Sequence, residues 1–339
     1  MRRRIIGVTL AVLLVMGVLA GCGSQSSESV TAELSKRVEK LTSYRTQGTL
    51  TLQTGANPQV YNVEVWYKEP DFYRISLSNQ QMDITQIILR NEEGVFVMTP
   101  HLNKSFRFQS DWPKSNGQVY LYHTLVSDIL ADETRKFSQE DDGYLFEVAA
   151  NYQNRSLSSQ RVWLDKKNLT PKRVEVLDAN GAVMVGMEFE QFELNPSFDS
   201  DAFDMERNMS FGAIQTLPTL AEKEAVQGDF GIIRPNYLPD GVQLLEEKEV
   251  TMEGEDMVVL KFGSEEYQFT LTEQRPQSLS VGLAYGEPAD LGFTVGVLSE
   301  GEISSLHWTY NNVDYHLAGN LPVDEMLKVA SSVYETSGK

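Results

Sequence analysis

The side chains here that could do chemistry are one cysteine, four histidines and 48 carboxylates among 339 residues. Cys22 follows Leu19-Ala20-Gly21, and a lone thiol in this setting can serve as a thiolate nucleophile. His307 and His316 stand at equal distances from Asn311-Asn312, so a two-residue turn there sets the two imidazoles directly opposite each other, near enough to share a metal. The neighbouring pair on that face is Thr309 and Asp314, which supplies at most one carboxylate. The expectation is therefore no metal, and a solvated polar face on an edge hairpin. His101 falls in a turn and His123 on a helix flank, neither with motif spacing. Glu140-Asp141-Asp142 lacks the alternating ligands of a calcium loop and reads as a hairpin tip. There is no His-Glu-x-x-His, Gly-x-Ser-x-Gly, phosphate loop or dinucleotide fingerprint. Abundant acids do not make a constellation, and the chain reads as a non-enzyme without a cofactor.

Upstream of Cys22, Arg2, Arg3 and Arg4 precede an apolar run from Ile5 to Leu19. That is a charged n-region and an h-region, shorter than the roughly 20 residues of a spanning helix. Leu19-Ala20-Gly21-Cys22 resembles the lipobox of bacterial lipoproteins, in which the thiol is joined to diacylglycerol and the chain is cut before the cysteine. The resemblance implies a signal peptide over 1–21 and lipidation at Cys22, with anchoring to the outer, extracytoplasmic face of the cell membrane. Two acyl chains on one cysteine give stable attachment. The competing reading is an ordinary signal peptide with an incidental cysteine. Residues 22–29, rich in Ser, Gly and Gln, read as a flexible tether.

Loss of the three arginines, and no acid, of residues 1–21 moves the formal charge from −19 to −22. A field of that sign opposes nucleic acid and adsorption to anionic lipid, so the lipid must hold the chain at the membrane. With one cysteine there is no internal disulfide, and each domain rests on its own core.

The elements that must position any site follow from periodicity. Val30, Leu34, Val38 and Leu41 recur at helical spacing, after which the period changes to two. Consecutive strands are expected from Tyr44 to Gln109, and again from Thr134 to Leu194. Between them Val119, Tyr122, Leu125, Val126, Ile129 and Leu130 form a helical stripe, with Ser115 or Asn116 available as a cap. A three-residue loop Glu69-Pro70-Asp71 pairs Tyr67 with Tyr73, Val65 with Ile75 and Val63 with Leu77 on one face. Asn180-Gly181 signals a two-residue hairpin that pairs Val176 with Val185, Val174 with Met187, and Arg173 with Glu188. An antiparallel sheet this long must curl, and a half-open barrel with helices over its mouth is the natural closure.

Trp66-Tyr67-Lys68-Glu69-Pro70-Asp71-Phe72-Tyr73-Arg74 resembles the strand-turn-strand, with its Lys-x-Pro-x-x-x-Arg pattern, of the LolA family of lipoprotein carriers. Trp163-Leu164-Asp165, Leu169-Thr170-Pro171-Lys172-Arg173 and Asp178-Ala179-Asn180-Gly181 are similar to that family's later strands. So is Phe192-Glu193-Leu194-Asn195-Pro196 with Phe203. A lipobox, this domain and the residues C-terminal to it together resemble the YdcC-type sporulation lipoproteins of spore-forming Gram-positive bacteria. The germination lipoprotein GerS has a related LolA-like domain. The resemblance implies that the concave face, here Val63, Val65, Tyr67, Tyr73, Ile75 and Leu77, can accept an acyl chain or apolar peptide. A closed core is the equally open alternative.

Residues 206–227 are acidic and poorly periodic and read as a linker. Arg234-Pro235-Asn236-Tyr237-Leu238-Pro239-Asp240-Gly241 opens a second unit. It is similar to the Tyr-Leu-Pro-x-Gly start of small domains in exported Gram-positive proteins. Its strands run from Val242 to Val297, Leu279–Tyr285 among them. The Asn311-Asn312 hairpin comes next, with Tyr310 opposite Val313, Trp308 opposite Tyr315 and Leu306 opposite Leu317. A final helix carries Met326, Leu327, Ala330 and Val333 inward.

The expected fold is α+β, mainly β: a LolA-like half-open antiparallel barrel with covering helices over 30–205, then a smaller antiparallel sheet with a C-terminal helix over 228–339. The expected function is that of a non-catalytic, membrane-anchored lipoprotein in cell-envelope or spore-envelope assembly or germination, binding an envelope-remodelling partner protein. The alternative is a lipid- or lipoprotein-binding carrier or receptor. The tether separates them, because a shuttle must leave one membrane for another.

Overall fold

The computed structural model describes residues 25–53, 58–79, 84–109, 112–113, 118–152, 157–215, 232–252, 255–275, 280–291, 294–310 and 313–333. Cys22, the signal over 1–21, Ser115, Asn116 and the Asn311-Asn312 tip lie outside them.

Helix α1 (Ser27–Glu39) starts where Ser26 accepts the Ser29 N–H at 3.2 Å, and it buries Val30 and Leu34. The first run of strands is β1 (Ser43–Leu52), β2 (Gln59–Lys68), β3 (Phe72–Asn79), β4 (Ile84–Asn91), β5 (Gly94–Thr99) and β6 (Lys104–Gln109). Helix α2 (Tyr122–Ala131) comes after them. It begins after Leu121 with no side-chain cap, so burial of Tyr122, Leu125, Val126 and Ile129 sustains it. Then come β7 (Lys136–Gln139), β8 (Gly143–Ala149), β9 (Leu157–Asp165), β10 (Pro171–Asp178), β11 (Val183–Leu194) and helix α3 (Met205–Gln215). The last part holds β12 (Gln243–Met252), β13 (Glu255–Gly263), β14 (Gln268–Gln274), β15 (Ser280–Tyr285), β16 (Glu287–Asp290), β17 (Val295–Ser299), β18 (Ser304–Tyr310), β19 (Val313–Gly319) and helix α4 (Val323–Ser332). No helix among the described residues is long and apolar enough to cross a membrane.

Twelve strands form the first sheet in the order β15-β6-β5-β4-β3-β2-β1-β11-β10-β9-β8-β7. Val63 and Ile75 on one wing share a core with Val148 and Val162 on the other, and with Val30 and Leu125 of the helices. Both wings packing on the same two helices requires the sheet to curl, as expected of a half-open barrel. The opposite face carries a second, smaller core of Ile87, Leu89, Phe96, Met98, Ala202 and Phe203. Helix α3 belongs to that side: Asn208 accepts from Arg74 Nε at 2.5 Å, and Arg74 lies 4.4 Å over the Trp66 ring. The stretch expected as a linker from 206 is therefore helical as far as Gln215.

Seven strands form the second sheet in the order β12-β13-β14-β19-β18-β17-β16, all antiparallel. Its core joins Leu260, Leu271, Leu306 and Leu317 to Met326 and Ala330 of α4. β15, expected in this sheet, pairs in parallel with β6 of the first, Ser280 opposite Ser105. Its short period-two run fits either sheet, and the unpaired edge of β6 claims it.

The expected β2–β3 register holds: Tyr67 faces Tyr73, Val65 faces Ile75 and Val63 faces Leu77. Between β10 and β11 the pairs Val176–Val185, Val174–Met187 and Arg173–Glu188 also hold. The tip differs, with a bulge between Val176 and Leu177 in place of a plain two-residue turn. Gly181 takes φ +81°, and the Asp178 carboxylate accepts the N–H groups of Asn180 and Ala182 at 2.9 and 2.8 Å. The β18–β19 pairs fall as expected, but these strands lie inside the second sheet rather than at its edge.

A candidate ligand cleft at the end of the first sheet

All six residues of the expected apolar face are buried and belong to one core. Val65 and Ile75 are wholly covered. Tyr67 and Tyr73, next to the β2–β3 turn, also reach a cleft of about 340 Å³ between that turn and α2. Helical spacing builds the other wall. Tyr122, Leu125, Val126 and Ile129 turn inward, which leaves His123, Thr124, Ser127 and Asp128 on the flank that lines the cleft. Asn151, Pro70, Asp71 and Pro113 complete the rim.

The floor is aromatic. Tyr67 lies 5.0 Å from Tyr73 and 4.3 Å from the His123 ring, centroid to centroid. Burial pushes the Tyr67 phenol up to about 12 and Tyr73 higher still, so both stay neutral hydrogen-bonding groups. Burial pushes His123 down to about 4 against the pull of Asp71, which leaves a neutral imidazole at neutral pH. Its Nδ1 is buried with no hydrogen-bond partner among the described residues.

Asp128 is the cleft's perturbed acid. Burial raises its carboxyl to about 6, and hydrogen bonds from Gln160 and Asn151 oppose the rise. Gln160 donates to Asp128 Oδ2 at 2.7 Å and accepts from the Tyr152 hydroxyl at 2.7 Å. The carboxylate thus ends an inward chain of hydrogen bonds. No salt bridge reaches Asp128 among the described residues. Sequence spacing puts His123 on a helix flank and does not single out Asp128. The signal available is the polar pair beside the apolar stripe of α2.

A second cleft, of about 410 Å³, lies between the two sheets. Lys104 and Phe106 form one wall, with His307, His316, Gln274 and Met257 opposite. The two imidazoles stand opposed as expected and stack at 3.9 Å and 14°. Their face is not simply solvated, because the first sheet packs over it. Burial pushes His307 down to about 4, helped by His316 and Lys104, and burial lowers His316 as well. No group of three or more His, Cys, Asp or Glu among the described residues could hold a metal.

Fold and clefts define a β-rich, two-sheet protein with ligand-sized hollows, and neither hollow pairs a nucleophile with a base among the described residues. The chain belongs to the family described as "Sporulation protein YdcC-like", whose model matches residues 2–203. A second model, "Domain of unknown function (DUF4367)", matches residues 232–333. The chain is 41% identical over 333 residues to sporulation protein YdcC of Bacillus subtilis (strain 168), covering 96% of each. It is also similar to a chain in the Pseudomonas aeruginosa MucA/MucB complex. That match has 14% identity and a TM-score of 0.32, with 89% of this chain and 97% of that one covered. Another match is a chain in the structure of the CwlD amidase from Clostridioides difficile in complex with the GerS lipoprotein, at 16% identity and a TM-score of 0.31. It covers 50% of this chain and 97% of that one. Overall similarity at those scores is low.

Proposed function

We propose that this chain is a non-catalytic lipoprotein, anchored through Cys22 to the extracytoplasmic face of the membrane, which serves the spore or cell envelope by binding a partner protein. The cleft between α2 and the β2–β3 turn supports this most: it offers an aromatic floor, a neutral imidazole and a half-buried carboxylate. Membership of a sporulation-protein family supplies the setting, and the lipobox resemblance supplies the anchor. The second reading is capture of an acyl chain on the apolar face. Val63, Val65, Ile75 and Leu77 already pack in one core with α1 and α2, so that reading requires the helices to move.

A photo-crosslinking residue at Ser127, exposed on the cleft rim, tests the proposal in sporulating cells, with Ile303 as a remote exposed control. A discrete protein adduct from Ser127 alone is expected. A lipid adduct from Ser127 would favour the second reading. Equal adducts from both positions, or none from Ser127, would overturn partner binding at this cleft.

A further inference from the structure

Asp128, Tyr67, Tyr73 and His123 together have the composition of a cation receptor. We propose that the partner inserts a lysine or arginine side chain into the cleft between α2 and the β2–β3 turn, with Asp128 as its counter-charge beside the aromatic floor. This rests on the reading of that cleft as a partner site and names the chemistry that would fill it.

Three observations converge. Asp128 is a half-buried carboxylate with amide neighbours, Gln160 and Asn151, and no ion-pair partner among the described residues. A half-buried acid held only by amides gains from a cation that meets it. Tyr67, Tyr73 and the neutral His123 imidazole line the same cleft, and tyrosine rings attract ammonium or guanidinium groups. A guanidinium at the rim, Arg90, is committed elsewhere: it donates to the Trp112 carbonyl and stands 3.8 Å from Asp71. Asp128, with no cation to offset it among the described residues, opposes an anionic occupant. A wholly apolar occupant would strip water from Asp128 and leave nothing in its place. The chain's net negative charge draws a basic segment toward it.

The groups around Asp128 are His123 on its own helix, Asp71 with Arg90 across the cleft, and Tyr152 beyond Gln160. Burial holds His123 and Tyr152 uncharged, and Asp128 titrates near 6. Acidification below that point removes the counter-charge, so a cation should bind more weakly there.

The test is calorimetric titration of the whole lipoprotein in nanodiscs with acetyl-Leu-Arg-Leu-amide, against the same peptide carrying citrulline. The arginine peptide should bind about tenfold tighter at pH 7.5. Asp128→Asn should abolish the difference, and Asp142→Asn, at an exposed hairpin tip, should leave it intact. Should Asp128→Asn fail to fold, Ser127→Arg provides a second variant: it places the chain's own cation at the rim and should block the arginine peptide. Equal binding of the two peptides, binding of neither, or an unchanged preference in folded Asp128→Asn would overturn the proposal. If the preference is absent while the Ser127 crosslink still traps a protein, only the cation inference falls. If the preference is present without a crosslink, partner binding in cells falls and the receptor stands.

Discussion

Lys104 on β6 and Asp314 on β19 form an ion pair across the boundary between the two sheets, with both side chains largely buried. Thr309 stands beside them, its hydroxyl 3.4 Å from Lys104 Nζ. A second tie lies nearby, where Gln86 accepts the Val295 N–H at 2.8 Å and the Thr294 hydroxyl at 3.0 Å. The halves of the chain are therefore joined by groups that were taken out of water together.

Asp314→Ala should cost about 3–5 kcal/mol, because it leaves the Lys104 ammonium buried without a counter-charge. Denaturant unfolding should then separate into two steps, the second sheet releasing first. Replacing both partners, Lys104→Met with Asp314→Leu, should restore most of the loss. A single unshifted transition in Asp314→Ala would show that the pair carries no coupling.

Val65→Glu should abolish the cooperative thermal transition. Val65 is wholly covered between Thr46 and Ile75, and an unpaired charge there costs several kcal/mol against a total stability of about 5–15 kcal/mol. Wild type should not bind a fluorescent fatty acid on this face. A folded Val65→Glu variant that has lost probe binding would reveal an open acyl site instead.

Glu273 should make the second sheet sensitive to pH. It is buried on β14, with Ile233 N–H donating to one oxygen at 3.2 Å and the other oxygen unpartnered among the described residues. Burial raises its carboxyl to about 8, with Glu247 adding to the rise and the Ile233 bond opposing it. A folded value above the unfolded one means the contribution is whole below the ordinary glutamate range and is lost as pH rises through 8. Unfolding free energies at pH 5, 7 and 9 should fall in that order by a few kcal/mol in total. Glu273→Gln should flatten the series; an equally steep fall in the variant would place the titration elsewhere.

On the lipoprotein proposal, Cys22→Ala should leave an uncleaved precursor or release the chain from membranes, because acyl chains would be the strong anchor for so acidic a protein. Metabolic labelling with a clickable fatty acid and fractionation reads this directly. Wild-type protein that takes up no label would remove the lipoprotein proposal.

Local pairing was legible because it is local. Tyr67 and Tyr73 lie either side of a short turn, and only one loop length puts their apolar neighbours on one face. The β18–β19 register comes from the same logic. What packs on a face is not encoded that way. The alternation that set His307 against His316 could not say that Lys104 and Phe106, two hundred residues earlier, would cover them. Asp128 was hidden for a related reason. Its significance comes from burial beside Gln160 and the tyrosine floor, which spacing along α2 does not reveal. β15 carries an ordinary strand pattern, and its partner was decided by which edge stood empty.

That last pairing governs the order in which the molecule can be completed. A chain made from its N-terminus exposes β6 long before β15 exists, so the nascent first sheet carries a raw edge of unpaired peptide groups. A copy truncated after α3 would keep that edge for good. It should be prone to self-association, a sticky fragment rather than a finished half.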